Sequence, residues 1–144
     1  MTRLLNGLLV IAILTTAGLL LAACSRGSEG IQEGSSPAGA GDAQRGKALY
    51  EQTVVGPNSA PGCATCHSRD PGKVLVGPSH ADIGTRASTE VAGMPAEEFL
   101  RESIVEPDAH LAEAFSPGIM YQNYGKDLTE QEINDLVAYM LALK

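Results

Sequence analysis

Five consecutive residues carry the chemistry of this chain: Cys63-Ala64-Thr65-Cys66-His67. Two thiols and an imidazole at C-x-x-C-H spacing form the attachment signature of a c-type haem. On a helical turn, positions three and four apart share a face, so Cys63, Cys66 and His67 can point to one side. The sulfurs can then form thioethers with the haem vinyl groups while the imidazole reaches the iron as an axial ligand. Other chemistries use the same letters. Half a zinc site would need a second pair of Cys or His at ligand spacing, and the sequence has none. A thioredoxin-type redox pair belongs in a βαβ pattern, which the chain lacks. A Cys63–Cys66 disulfide is the third alternative. The spacing with His67 favours haem over all three.

The motif needs a scaffold, and the flanking sequence reads as helices joined by loops. A first helix is expected from Asp42, a good N-cap, to about Thr53. Ala43, Gly46, Ala48, Leu49 and Tyr50 place small and apolar residues at helical spacing. A glycine inside a helix costs roughly 1 kcal/mol relative to Ala, so Gly46 points to the close approach of another backbone. The stretch Gly56-Pro57-Asn58-Ser59-Ala60-Pro61-Gly62 is a loop leading into the motif, and Asp70-Pro71-Gly72 marks a turn. Val74-Leu75-Val76, ended by Gly77-Pro78, is too short to read as a strand. A short helix is expected over Ser79–Arg86. Another begins at Pro95, which suits the first helical position, with Glu97 and Glu98 where the helix dipole favours acids. Phe99, Leu100, Ser103 and Ile104 form its face, and Glu106-Pro107 stops it. Asp108 to Lys126 reads mostly as loop. The last helix opens with a capping box at Thr129–Glu132, and Leu128 can staple onto Ile133. Ile133, Leu136, Val137, Met140 and Leu141 then follow at i, i+3, i+4, i+7 and i+8. No stretch makes a convincing sheet, so the fold class is all-α.

A length of 144 residues bounds the chain to about one domain. Its first 23 residues carry one charge, Arg3, ahead of a long apolar run, the pattern of an export signal. The run ends in Leu21-Ala22-Ala23-Cys24, which resembles the lipobox of bacterial lipoproteins. That resemblance implies cleavage before Cys24 and a lipid on its sulfur. An uncleaved transmembrane helix is the competing reading, since about twenty apolar residues can span a bilayer. Three cysteines fit the first reading, with one for lipid and two for haem. Residues 24–41 then form the lipidated Cys and a Gly/Ser-rich linker with a root-mean-square reach of roughly 20–25 Å. Residues 42–144 form the folded domain. Removal of the signal takes the net charge from −7 to −8, because Arg3 is the only charge lost. An acidic protein disfavours nucleic acid and anionic lipid as electrostatic partners. There is no Trp, and only two Phe and four Tyr. A buried haem would supply the large flat apolar body that aromatic rings usually provide.

From Asp42 onward the chain resembles the class I cytochromes c, small mono-haem electron-transfer proteins. The resemblance rests on Gly46 and Tyr50 in the first helix, then the motif, then Gly77-Pro78 ten residues on, and Leu136 and Tyr139 in the last helix. It implies a small cytochrome c fold of three to five helices around one covalently bound haem c, with the N- and C-terminal helices crossing. It implies that the Pro78 carbonyl accepts a hydrogen bond from His67, and that Met120, in the loop before the last helix, is the second axial ligand. Met94 is the rival ligand, whereas Met140 falls on the apolar face of the last helix. Tyr121 stands where the family has Pro, and His80 where it often has an apolar residue. His80 and His110 are both expected to face solvent. The family Trp that bonds a haem propionate is absent, and Arg86, Tyr121 and Tyr124 are candidate substitutes.

Ser103–Pro107, Gly118–Met120 and Leu128-Thr129 are also similar to cytochrome domains of membrane respiratory complexes, such as caa3-type oxidase and alternative complex III. The resemblance therefore implies an electron carrier rather than an enzyme. Its partners would be redox proteins of a membrane respiratory or photosynthetic complex, reached from a lipid anchor on the outer face of the bacterial cytoplasmic membrane. If Met120 does not bind iron, the alternative is a five-coordinate haem enzyme or gas sensor.

Overall fold

Helix starts follow from capping chemistry. Asp42 holds an extended backbone and its Oδ1 accepts from the N–H groups of Gln44 and Arg45. Thr129 Oγ1 accepts from the Glu132 N–H, while the Glu132 carboxylate accepts from the Thr129 N–H, completing the expected capping box. Each such cap contributes about 1 kcal/mol. In the computed structural model, which describes residues 39–144, the helices are α1 (Ala43–Tyr50), α2 (Cys63–Cys66), α3 (Ile83–Glu90), α4 (Ala96–Val105), α5 (Tyr124–Asp127) and α6 (Glu130–Ala142). Two of the six, α2 and α5, are single turns. The expected export signal, Cys24 and most of the linker lie outside the described residues.

The first and last helices cross, and Gly46 is the reason they can. A Cβ at Gly46 would overlap the backbone carbonyl of Asp135 and crowd the Tyr139 Cβ. The crossing is fastened by Asp135, only 4% exposed. Its carboxylate accepts from the Asp42 N–H at 2.7 Å, from Arg45 Nε and Nη2 at 2.8 and 2.9 Å, and from Gln131 Nε2 at 2.9 Å. Burial works against the charged form of this carboxyl, but the Arg45 guanidinium, the Asp42 N–H and Gln131 outweigh it and hold it below its ordinary value. Tyr50, Leu100, Ile133 and Leu136 are the largest fully buried side chains, and Leu128, Val137 and Met140 share their core.

Order reaches further toward the N-terminus than composition suggests. Gly39 N–H donates to Gln131 Oε1, Asn134 Nδ2 donates to the Gly39 carbonyl, and Gln131 Nε2 donates to the Ala40 carbonyl. The three residues before Asp42, expected to belong to the linker, therefore lie along α6. Glycine-rich sequence carries no periodicity, so pattern alone could not reveal backbone bonds to a distant helix.

Three local expectations shift. A hairpin of two strands, β1 (Val54–Val55) and β2 (Ala60–Pro61), pairs antiparallel with Val54 opposite Pro61 and Val55 opposite Ala60. Strands of two residues are too short to leave a sequence pattern. The expected Ser79–Arg86 helix begins later, at Ile83, because residues 79–81 are hydrogen-bonded elsewhere, as described below. Tyr124–Asp127 forms a turn of helix within a stretch read as loop. Val74, Leu75 and Val76 are exposed and form no strand.

Candidate haem site

The hairpin delivers the chain to α2. Gly62 N–H donates to the Thr53 carbonyl at 2.8 Å, and Thr65 Oγ1 donates back to the Gly62 carbonyl at 2.6 Å. This tight turn brings Cys63 and Cys66 to the wall of an open-sided cleft as free, half-buried thiols. The cleft holds about 1390 Å³ of unfilled space, solvent at its mouth included.

His67 follows at the end of the turn, its N–H donating to the Cys63 carbonyl at 2.9 Å. A second segment clasps it. Gly77 N–H donates to the Cys66 carbonyl at 2.9 Å and His80 N–H to the Ser68 carbonyl at 2.7 Å, one bond on each side of His67. Between them, His67 Nδ1 lies 2.9 Å from the Pro78 carbonyl. A carbonyl only accepts, so Nδ1 carries the proton and Nε2 presents its lone pair. Burial lowers the imidazole's pKa and the Pro78 carbonyl opposes this; burial prevails, so the ring is neutral. A neutral imidazole with its second nitrogen fixed is the form that binds a metal. Gly77 is required here, since a Cβ at that position would run into the His67 ring.

The sequence-predicted residues converge. Cys63, Cys66, His67, Pro78 and Met120 all line the one cleft. Met94 packs against the core without lining it, so the structure places Met120, not its rival, with the motif. The apolar wall comes from Ile83, Phe99, Leu100, Ile104 and Met140. Among the described residues no buried side-chain nitrogen or oxygen lacks a hydrogen-bond partner, so no stranded polar atom in the wall opposes an apolar ring. A flat apolar macrocycle, two thiols at its edge, an imidazole lone pair and a thioether make a consistent set, and these residues fit a haem. Cys24 lies outside the described residues.

Two histidines expected in solvent are not there. His80 is half-buried, and its ring lies flat on that of His67, with centroids 3.9 Å apart and planes 17° from parallel. Its Nδ1 is 3.0 Å from the Tyr50 hydroxyl. Burial first, then the neighbouring His67 and Arg86, push its pKa well below the ordinary value. The His80–Ser68 backbone bond turns the side chain inward; the only signal in the sequence was its position two after Pro78. His110 also lines the cleft, with Nε2 2.8 Å from the Glu102 carboxylate and its ring centroid 5.9 Å from that of Phe99. Nothing in the sequence signals that contact, because it joins a loop to the flank of α4.

Arg86, Tyr121 and Tyr124 line the cleft as well. Arg86 donates to the Ser79 carbonyl at 2.7 Å and pairs with Glu90. Tyr121 donates to the Asp127 carboxylate, and Tyr124 to the Pro61 carbonyl. The Tyr121 and Tyr124 rings meet edge to face at 5.1 Å, so Tyr121 stiffens the loop beside Met120 through contacts rather than a fixed backbone angle.

No curated protein and no solved structure matches the chain. A family model described as cytochrome c matches residues 43–144, which begins with the first residue of α1 and ends with the last residue of the chain. With that match over most of its length, and with a cleft fitted to the group, the chain belongs to the cytochrome c family, whose members carry covalent haem c and its iron.

Proposed function

We propose that this cytochrome c is a membrane-tethered mono-haem carrier that passes single electrons in a respiratory or photosynthetic chain, as a subunit or close partner of a membrane complex. The observation that carries the reading is the convergence of Cys63, Cys66, His67 and Met120 on one apolar cleft. Cys63 and Cys66 would hold the haem through their sulfurs, and His67 and Met120 would be the side chains offered to its iron. The haem supplies a one-electron iron couple, whose ferrous state a thioether ligand favours over a second nitrogen. The protein's own part is to exclude water, with Phe99, Leu100 and Ile104 on the wall, and to keep the imidazole oriented through Pro78. With His67 and Met120 both ligating the iron, no position would be left for a substrate, and the protein's role would be electron transfer rather than catalysis of its own.

A lipid on Cys24 would keep the carrier on the outer face of the cytoplasmic membrane and raise its effective concentration near integral partners. The acidic chain suits a partner presenting a basic or apolar patch. The test is spectroscopic. Optical and EPR spectra of the ferric holoprotein at neutral pH are expected to be low-spin with His/Met ligation. A high-spin, five-coordinate iron would replace this reading with a haem enzyme or gas sensor. Detergent extraction and native purification address the partner: co-elution with a membrane complex is expected, and elution alone would sink the subunit role.

A further inference from the structure

The bond from Nδ1 to Pro78 fixes one atom of the His67 ring, but one hydrogen bond does not fix a plane. The ring could still swing about that contact. The flat face of His80, 3.9 Å away and nearly parallel, removes this freedom. His80 is itself held at several points. Its N–H is tied to Ser68, and the carbonyls on either side of it, Ser79 and Ala81, both accept from Arg86. Its Nδ1 meets the hydroxyl of Tyr50, whose ring is fully buried and set edge to face against Tyr139 at 5.2 Å. A chain of contacts thus runs from the crossing of α1 and α6 through Tyr50 and His80 to His67. An aliphatic side chain would fill the space beside His67 without needing the Tyr50 hydroxyl, so the polar arrangement has work beyond filling.

From this geometry, and resting on His67 being an iron ligand, we infer that His80, oriented by Tyr50, is a positioning residue that sets the plane of the His67 imidazole and lowers the reduction potential of the site. The physical reason lies in the stack. An imidazole bound to ferric iron is more electron-poor than the same ring on ferrous iron. The electron-rich face of a neighbouring ring therefore stabilises the oxidised state more than an aliphatic side chain does. Contacts made to a ligand rather than to the metal tune metal sites in this manner.

The test uses the holoprotein and four variants: His80→Leu, His80→Phe, Tyr50→Phe and the double variant Tyr50→Phe/His80→Leu. The readouts are the haem methyl shifts in the NMR spectrum of the ferric state, which report the orientation of the axial ligands, and the midpoint potential. His80→Leu is expected to change the methyl shift pattern and raise the potential. Tyr50→Phe, which keeps the buried ring, is expected to shift both in the same direction by less. His80→Phe retains a stacking face and is expected to restore the potential part of the way. In the double variant Tyr50→Phe/His80→Leu, the potential should match that of His80→Leu alone. Unchanged shifts and potential in His80→Leu and Tyr50→Phe, with only a lower unfolding midpoint, would overturn the inference and leave His80 a packing residue. A wild-type spectrum lacking imidazole ligation would overturn the ligand assignment beneath it, and that outcome is seen before any variant is made.

Discussion

At the scale of single residues, the haem-binding side of the molecule is a set of constraints on one imidazole. Cys63 and Cys66 place it, Pro78 holds its Nδ1, Gly77 leaves room for its ring, and His80 lies on its face. The Met120 side is looser, with a half-buried thioether in a loop steadied by Tyr121 and Tyr124. Met120→Ala should therefore leave the haem attached but open a position to added imidazole or cyanide, read as a change in the Soret band. A ferric spectrum that stays low-spin without added ligand would move the assignment to another side chain. Gly77→Ala is predicted to displace the His67 ring by steric overlap with the new methyl group, weakening its ligation and lowering the yield of low-spin holoprotein. The C-x-x-C-H spacing was legible as a local signal, and Gly77-Pro78 and Met120 through the resemblance to cytochromes c. The inward turn of His80 was not, because it depends on a backbone bond to Ser68 twelve residues earlier and on the Tyr50 hydroxyl thirty residues away.

Among the elements, the crossing of α1 and α6 governs the rest, since it joins segments about ninety residues apart. Replacing Gly46 with Val should cost about 1–3 kcal/mol through overpacking, or more, because the obstacle is backbone rather than a movable side chain. Denaturant unfolding of the holoprotein measures this. Asp135 makes stability depend on acid. Its folded pKa lies below the unfolded value of 3.8, so the unfolded chain takes up the proton more readily. Its contribution is fully present above that unfolded value and is lost as pH falls through the lower, folded one. Asp135→Asn should lower stability at neutral pH by about 1.5–3 kcal/mol, the range for hydrogen bonds to a charged group. It should also flatten the acid limb of the stability profile; an unchanged slope below pH 4 would show that other carboxyls set that limb. The capping box, the apolar stripe of α6 and Gly46 marked the two helices and the close approach of a second backbone, while the resemblance to cytochromes c implied that the two helices cross. The hairpin and the single turn at Tyr124 left no such mark, since elements of two and four residues are shorter than the runs over which a strand or helix period shows itself.

For the molecule as a whole, the questions are where it sits and what it meets. Cys24→Ser is predicted to move the protein from the membrane fraction to the soluble one. Retention of the variant would favour an uncleaved apolar helix over a lipid. The net negative charge predicts that association with a basic redox partner weakens as salt rises, measurable as a falling second-order rate of electron transfer. The strip at Gly39 and Ala40 bears on how the domain would take up a mechanical load. A pull on the chain ahead of Gly39 reaches the folded domain first at its bonds to Gln131 and Asn134, on α6. It is passed next to the Asp42–Asp135 contact, where both ends of the domain are fastened together. The bonds of His67 to Cys63 and Pro78 come after these, reached from the crossing through Tyr50 and His80. A load entering at Gly39 is thus shared by α6 and the crossing before it comes to the side chains around His67.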